Sequence, residues 1–238
     1  LGTFHGVGGL VVGPDNLLYI SSGSESFYGY LTNGALETVD PNWNPSSQTG
    51  RLNARIITST LTGGLNNVNV FAEGIRNSFD IAFRADGKLF GVENGPNTNC
   101  DYAEEFNMIQ SGLHYGFPYK YGSDLSGSDS SIACQNSGGG NSLGPPALPG
   151  GLVVQPAWAN YGPDSKPTSG QPGYNGGGPY YGYHPHSSPN GITFYDPDEM
   201  DGGAALFPDE FHDRAFVARF GQLENLGGAY GFDILSMR

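Results

Sequence analysis

Short apolar runs separated by turn-forming residues recur along this chain of 238 residues. Residues 9–12 and 17–20 are apolar and flank a Pro-Asp-Asn turn, a pattern that predicts a β-hairpin. The same pattern returns where residues 80–83 and 89–92 flank an Asp-Gly turn, and the equivalent aspartates are 71 residues apart. The sequence therefore predicts at least two hairpins of the same kind.

A third, looser hairpin joins residues 191–195 to residues 215–219. Hairpins recurring at several tens of residues indicate radial repetition, so the predicted fold is an all-β propeller of four-stranded blades around a channel. A β-sandwich with similar hairpins is the alternative. We expect one domain over residues 1–238, with a loop-rich insertion at about 101–186. The one helical candidate is residues 101–109.

The composition is typical of short strands joined by elaborate loops. The chain has 39 Gly and 17 Pro residues, which favour turns, and 14 Tyr and 14 Phe residues, which suit strands. The formal net charge of −13 disfavours nucleic acid and anionic lipid as partners. No apolar run is long enough to span a bilayer. The acidity favours solubility or a set of carboxylates that holds calcium.

Several short motifs follow one another in a fixed order. They are His-Gly-Val-Gly-Gly-Leu at 5–10, Gly-Ile-Arg-Asn at 74–77, Glu-Asn-Gly-Pro at 93–96, Glu-Phe-Asn at 105–107, His-Tyr-Gly-Phe-Pro at 114–118, and the segments 186–195 and 207–221. This order and spacing resembles the soluble, pyrroloquinoline quinone (PQQ)-dependent glucose/sorbosone dehydrogenases, a family of six-bladed β-propellers. The resemblance covers most of the chain outside the insertion.

The resemblance implies oxidation of an aldose or related polyol by hydride transfer to PQQ. His5 is then the expected general base, because imidazole accepts a hydroxyl proton near neutral pH; a hydrogen-bonded structural histidine is the alternative. Arg76 is expected to stabilise negative charge on a quinone oxygen. Asn77, Asn94 and Arg219 are expected to contact the cofactor. Without the resemblance, the pattern at 76–77 is typical of a solvated pair.

The resemblance also implies two calcium sites. The turn at Gly95 and Pro96 is expected to direct backbone carbonyls at the calcium that polarises the quinone, since Ca²⁺ accepts carbonyl oxygens as ligands. The Glu105 side chain and the Tyr115 carbonyl match a second, structural calcium site, with Asp124 as a further ligand. The alternative for these carboxylates is simple solvation.

The sequence is also compatible with two other functions. A non-catalytic, calcium-binding propeller module would keep the blades and the calcium sites, and a calcium-dependent lactonase on a similar propeller is a weaker alternative. Six blades need more than 238 residues. We therefore expect about four blades here, so that the sequence is an excerpt or other chains complete the propeller.

The resemblance implies a secreted or periplasmic protein that passes its electrons to an external acceptor. Cys100 and Cys134 are the only cysteines, and both lie in Gly-, Asn- and Ser-rich sequence. Extracellular loops rarely keep free thiols, so these two residues are predicted to form a disulfide.

Overall fold

The fold is built from short antiparallel strands. The computed structural model describes residues 5–26, 29, 37, 52–62, 67–95, 104–121, 125–126, 148–158, 187–199, 206–221 and 232–237. Its strands are β1 (Val7–Val12), β2 (Leu17–Ser22), β3 (Arg55–Thr60), β4 (Asn69–Glu73), β5 (Ser78–Phe83), β6 (Leu89–Glu93), β7 (Glu105–Ile109), β8 (Lys120–Tyr121), β9 (Leu125–Ser126), β10 (Pro189–Phe194), β11 (Ala215–Arg219) and β12 (Asp233–Met237). The described residues contain two 3₁₀ turns and no α-helix, so the all-β prediction is confirmed.

The strands form three blade-like sheets in chain order. The sheets are β1-β2-β3-β4, β5-β6-β7 and β10-β11-β12, and β8 pairs with β9 in a separate two-stranded ribbon. All three predicted hairpins are confirmed, as β1–β2, β5–β6 and β10–β11. In the first turn the Asp15 carboxylate accepts a hydrogen bond from Leu17 N at 3.1 Å, and in the second Gly87 adopts a φ of +80°.

The first strands of the three sheets lie side by side and run in the same direction. A Cβ on Gly8 would lie 2.5 Å from Ser78 O, and one on Gly9 would lie 2.6 Å from Ile81 N, so β1 and β5 approach backbone to backbone. Between β5 and β10, the Asp80 carboxylate accepts a hydrogen bond from Ile192 N at 2.9 Å. In a β-propeller, successive sheets are arranged in this way, with the first strand of each sheet innermost.

Two hydrophobic clusters fill the space between neighbouring sheets. One joins the first and second sheets and includes Ile56, Ala72 and Ile81. The other joins the second and third sheets, where Phe90 stacks on Phe106 with ring centroids 5.4 Å apart and Val217 is completely buried. The cores thus lie between blades, and the blade ends remain available for polar groups.

The helical prediction for residues 101–109 was wrong over its second half. Glu105–Ile109 is strand β7, whose residues pair in unbroken register with β6, from Glu93↔Glu105 to Leu89↔Ile109. Apolar positions in so short a segment fit either period, and the pairing with β6 decides the outcome. Strand β7 lies within the predicted insertion, of which residues 104–121, 125–126 and 148–158 are described.

Several predictions concern residues outside the described ranges. Pro96, Asp124, Cys100 and Cys134 are among them, so the second carbonyl of the predicted calcium turn, one predicted calcium ligand and the disulfide stay predictions. Within the described ranges, no helix is long and apolar enough to cross a membrane.

Candidate functional site at the common strand end

The candidate residues meet at the end of the sheets where β1, β5 and β10 begin. His5 precedes β1, and Asn77 precedes β5. Asn94 follows β6, and its backbone N–H donates to Asn77 O at 3.0 Å. The Asn94 side chain in turn donates to Asn190 Oδ1 on β10 at 3.1 Å. Hydrogen bonds therefore connect the second and third sheets at this end.

His5 is held by the segment that follows β2. Its Nδ1 lies 2.9 Å from Ser24 Oγ and 3.2 Å from Ser24 O, and its backbone N–H also donates to Ser24 O at 3.2 Å. A carbonyl oxygen can only accept, so Nδ1 is the protonated ring nitrogen and Nε2 carries the lone pair. This tautomer suits a base that acts through Nε2.

The surroundings of His5 keep its ring neutral. Burial lowers the pKa of His5, the positive charge of Arg76 lowers it further, and the hydrogen bond to the Ser24 backbone raises it slightly, with a net value of about 4. A buried imidazole beside a guanidinium loses the stabilisation of its charged form. At neutral pH His5 is therefore a proton acceptor rather than a cation.

Arg76 links the His5 segment to the turn after β6. It is 2% exposed, and its Nη1 donates to Asn94 O at 2.7 Å and to Gly95 O at 3.0 Å. Its backbone carbonyl accepts a hydrogen bond from Ser24 N at 2.7 Å. The predicted site residues His5, Arg76 and Gly95 are therefore connected by three hydrogen-bonded steps, from His5 to Ser24, from Ser24 to Arg76 and from Arg76 to Gly95.

A buried carboxylate fixes the backbone of Arg76. Glu93 Oε1 accepts a hydrogen bond from Arg76 N at 2.6 Å, and Glu93 Oε2 accepts one from Asn107 Nδ2 at 3.1 Å. Asn107 Nδ2 also donates to Glu105 Oε2 at 3.0 Å. Burial raises the pKa of Glu93 well above its ordinary range, and the nearby charge of Glu105 raises it further.

The turn after β6 has the oxygen-rich chemistry that a hard cation requires. Asn94 O and Gly95 O both accept hydrogen bonds from Arg76 Nη1, and Gly95 N donates to Glu104 Oε2 at 3.2 Å. Asn94 Oδ1 is buried, and no hydrogen bond to it from the described residues is present. Calcium prefers carbonyl, amide and carboxylate oxygens, so these residues fit the predicted ion.

Two other predicted site residues bind different partners, although Arg219 lies opposite Pro189 at the start of β10 and therefore at the same strand end. Arg219 Nε and Nη2 bind Asp233 Oδ1 and Oδ2 at 2.8 and 2.6 Å, across the β11–β12 pair. Tyr115 packs in the core between the first two sheets, and its hydroxyl donates to Met108 O at 2.7 Å. Burial raises the pKa of Tyr115 to about 12. These contacts do not connect either residue to His5.

Sequence reasoning missed several residues that build the site. They are Ser24, Glu93, Asn107 and Asn190, which bind His5, Arg76, two glutamates and Asn94 respectively. Polar residues at the ends of predicted strands were the available signal, but it does not say which strand ends face each other. Among the described residues no cluster of His, Cys, Asp or Glu side chains is arranged as a metal site.

Antiparallel blade-like sheets with adjacent first strands are typical of a β-propeller, and a histidine, an arginine and two backbone carbonyls lie at their common strand end. A family model for glucose/sorbosone dehydrogenases matches residues 2–143, which is more than half of the chain. The chain belongs to this family.

The chain is similar in sequence to one curated protein and in fold to one solved structure. Quinoprotein glucose dehydrogenase B of Acinetobacter calcoaceticus is 28% identical over 127 residues, which cover 48% of this chain and 26% of the relative. The holo form of the PQQ domain of pyranose dehydrogenase from Coprinopsis cinerea superposes with a TM-score of 0.52 at 14% identity, covering 94% of this chain and 50% of that domain. The chain thus spans about a quarter of the first relative and half of the second.

Proposed function

We propose that this chain carries part of the active site of a PQQ-dependent sugar dehydrogenase that oxidises an aldose or related polyol. The observation that carries the proposal is the juxtaposition of a neutral, tautomer-defined His5 with Arg76 and the Gly95 carbonyl. Family membership supports it, as do the names of the two relatives, a quinoprotein glucose dehydrogenase and a PQQ-containing pyranose dehydrogenase domain.

His5 supplies the proton acceptor. Oxidation of a sugar hydroxyl removes a hydride from carbon and a proton from oxygen. PQQ with Ca²⁺, when bound, supplies the hydride acceptor and its polarisation. His5 Nε2 takes the hydroxyl proton, and the resulting imidazolium is stabilised by its hydrogen bonds to Ser24 through Nδ1.

Arg76 supplies positive charge beside the position of the quinone. Its guanidinium is held by two carbonyls of the turn after β6, so its orientation is set before a ligand arrives. A preorganised cation stabilises developing negative charge without reorganisation at the moment of reaction. Asn77 and Asn94 extend the same surface, and both are proposed to contact the cofactor.

Two calcium sites complete the proposal. Gly95 O, which also accepts from Arg76 Nη1, and the buried Asn94 Oδ1 are proposed ligands of the first ion, and Pro96 remains a proposed ligand outside the described residues. Glu105, Tyr115 O and Asp124 remain the proposed ligands of the second, structural ion. Arg219 remains a proposed cofactor contact, although it forms a bidentate ion pair with Asp233.

The cellular setting follows from the reaction class. We propose that the protein acts outside the cytoplasm, where a soluble sugar dehydrogenase meets its substrate and an external electron acceptor. The remaining blades are proposed to come from further parts of the same protein or from other chains.

A cofactor titration tests the proposed function. PQQ is added to the full-length protein with Ca²⁺ or with a chelator, and binding is followed by absorbance. We expect saturable binding that depends on Ca²⁺. Arg76→Ala should weaken it by about 10- to 100-fold, the loss of one or two charge-assisted hydrogen bonds. Arg84→Ala is the matched control, since Arg84 lies in the exposed turn at the opposite end of β5 and pairs with Asp86.

The contradicting outcome of this titration is also defined. Absence of saturable PQQ binding in the Ca²⁺-loaded wild type, with calcium binding retained, would favour the non-catalytic calcium-binding module. Equal weakening by Arg76→Ala and Arg84→Ala would remove Arg76 from the cofactor site.

A further inference from the structure

The dipeptide Gly23–Ser24, which follows β2, packs against His5 and hydrogen-bonds to it. A Cβ on Gly23 would lie 2.4 Å from His5 Cβ and 3.1 Å from Gly6 O, so only glycine leaves room for the histidine there. Gly23 N donates to Gly6 O at 3.0 Å, and Ala54 N donates to Gly23 O at 3.2 Å. Hydrogen bonds to the segments at Gly6 and Ala54 therefore fix the backbone of Gly23, against which His5 packs.

The hydrogen bonds of Ser24 have a defined direction. Its hydroxyl lies 2.8 Å from Ser26 O, a carbonyl that can only accept, so the hydroxyl proton points towards Ser26. Ser24 Oγ must then accept from His5 Nδ1 at 2.9 Å. The Ser24 carbonyl, at 3.2 Å, reinforces the same direction. Both atoms of Ser24 that contact the ring therefore require a proton on Nδ1.

A buried carboxylate keeps this segment in place. Glu37 is 2% exposed and accepts hydrogen bonds from Glu25 N at 2.6 Å and Ser26 N at 2.7 Å. Because Ser26 is held in this way, its carbonyl is a fixed target for the Ser24 hydroxyl. The charged group that faces His5 is Arg76, whose carbonyl accepts from Ser24 N. Ser24 thus contacts both principal residues of the candidate site.

We propose that Ser24 is the positioning residue of the proton acceptor. Its hydroxyl donates to Ser26 O and accepts from His5 Nδ1, and so holds His5 in the Nδ1–H tautomer with Nε2 presented to the substrate. The proposal rests on the proposed function only for the role of Nε2. The arrangement of tautomer and relay is independent of the cofactor. A serine in this position fixes the ring without placing a negative charge beside it.

The primary test is nitrogen NMR of the histidine ring. With His5→Gln used to assign the His5 signals, the wild-type protein should show a protonated Nδ1 and an unprotonated Nε2 at neutral pH. Ser24→Ala removes the shorter of the two bonds to Nδ1 and should shift His5 towards a mixture of tautomers. Ser24→Thr keeps the hydroxyl and should restore the wild-type signals.

Steady-state kinetics of the holoenzyme provide the second readout. Ser24→Ala should lower kcat by about 2- to 10-fold with little change in KM, the effect of losing one neutral hydrogen bond. Ser24→Thr should recover most of the rate. Ser59→Ala is the control, because Ser59 lies on β3 and its hydroxyl donates to the neighbouring carbonyl of Thr60 at 3.3 Å.

Failure of this inference differs from failure of the proposed function. The tautomer is measured without PQQ or sugar, so it is informative even if the protein oxidises no sugar. An Nε2–H tautomer in the wild type would overturn the inference. So would an unchanged tautomer and rate in Ser24→Ala. If Ser24→Ala does not fold, Ser24→Gly, which also lacks the hydroxyl, takes its place in both measurements.

Discussion

The acid–base character of His5 is determined by groups that are distant in sequence. Ser24 is 19 residues away and fixes the tautomer, whereas burial and Arg76 lower the pKa. The sequence alone predicted His5 and Arg76 through the family motifs. It did not predict Ser24, because Ser24 becomes a partner only when β1 and β2 pair and bring the two segments together. Residue types indicated the chemistry, and strand pairing determined the protonation state.

The lowered pKa of His5 predicts a pH dependence. Its value is about 4 in the folded protein against 6.5 in a model peptide, so His5 stays neutral well below pH 6. The acid limb of kcat/KM, which reports the free enzyme, should fall near pH 4 rather than near 6.5. Arg76→Met removes a charge that lowers the pKa of His5, so the acid limb should move to higher pH, measured on the activity that remains.

The lowered pKa of His5 also makes the stability of the fold depend on pH. Between pH 4 and 6.5 the unfolded state binds more protons at His5 than the folded state does, so stability falls as the pH decreases through this window. Above 6.5 His5 is neutral in both states, so its protonation no longer lowers the stability. His5→Gln should flatten this part of the profile, measured by urea unfolding at several pH values. An unchanged slope in His5→Gln would contradict the assigned pKa.

At the scale of elements, turn chemistry and apolar spacing were sufficient to predict the three hairpins. They were insufficient for β7, because its apolar positions fit a helix as well as a strand and only pairing with β6 decides. The contacts between sheets were also unpredictable. Asp80 accepts a backbone hydrogen bond from β10, 112 residues away, and no local pattern indicates such a partner. The hydrogen bond from Asn94 to Asn190, which links two blades in the candidate site, depends on such contacts.

The close approach of β1 to β5 predicts an effect of a single methyl group. In Gly9→Ala the new Cβ would lie 2.6 Å from Ile81 N and 2.9 Å from Asp80 Cα, both backbone atoms that cannot move aside cheaply. Overpacking of this kind costs about 1–3 kcal/mol, and occasionally more. Gly6→Ala is the matched control, because among the described residues no heavy atom beyond its chain neighbours lies within 4 Å of the added Cβ.

Urea unfolding of the full-length protein measures this difference. The midpoint should fall clearly for Gly9→Ala and stay near that of the wild type for Gly6→Ala. Equal midpoints for the two variants would show that the contact between β1 and β5 is not tight, and the side-by-side arrangement of the first strands would then need revision.

At the scale of the whole molecule, the first strands of the three blade-like sheets all begin at the same end of the sheets. Equivalent strand ends converge in this way because each sheet repeats the same meander around a shared axis. The sequence predicted this arrangement through the recurring hairpins, and the family match supports it. The chain spans half of the similar PQQ domain. The Cys100–Cys134 disulfide remains a prediction about a region outside the described residues.

The most direct test of the proposed function is steady-state sugar oxidation by the full-length protein. The protein is supplied with PQQ, Ca²⁺, a panel of aldoses and an electron-accepting dye, and the wild type is compared with His5→Ala. His212→Ala is the control, since His212 is an exposed histidine beside Asp196 in the β10–β11 connection. We predict that His5→Ala lowers turnover by about 10²- to 10⁴-fold, the usual cost of losing a general base, while PQQ still binds. Wild-type turnover in His5→Ala, or no sugar oxidation by the PQQ-loaded wild type, would contradict the proposed function.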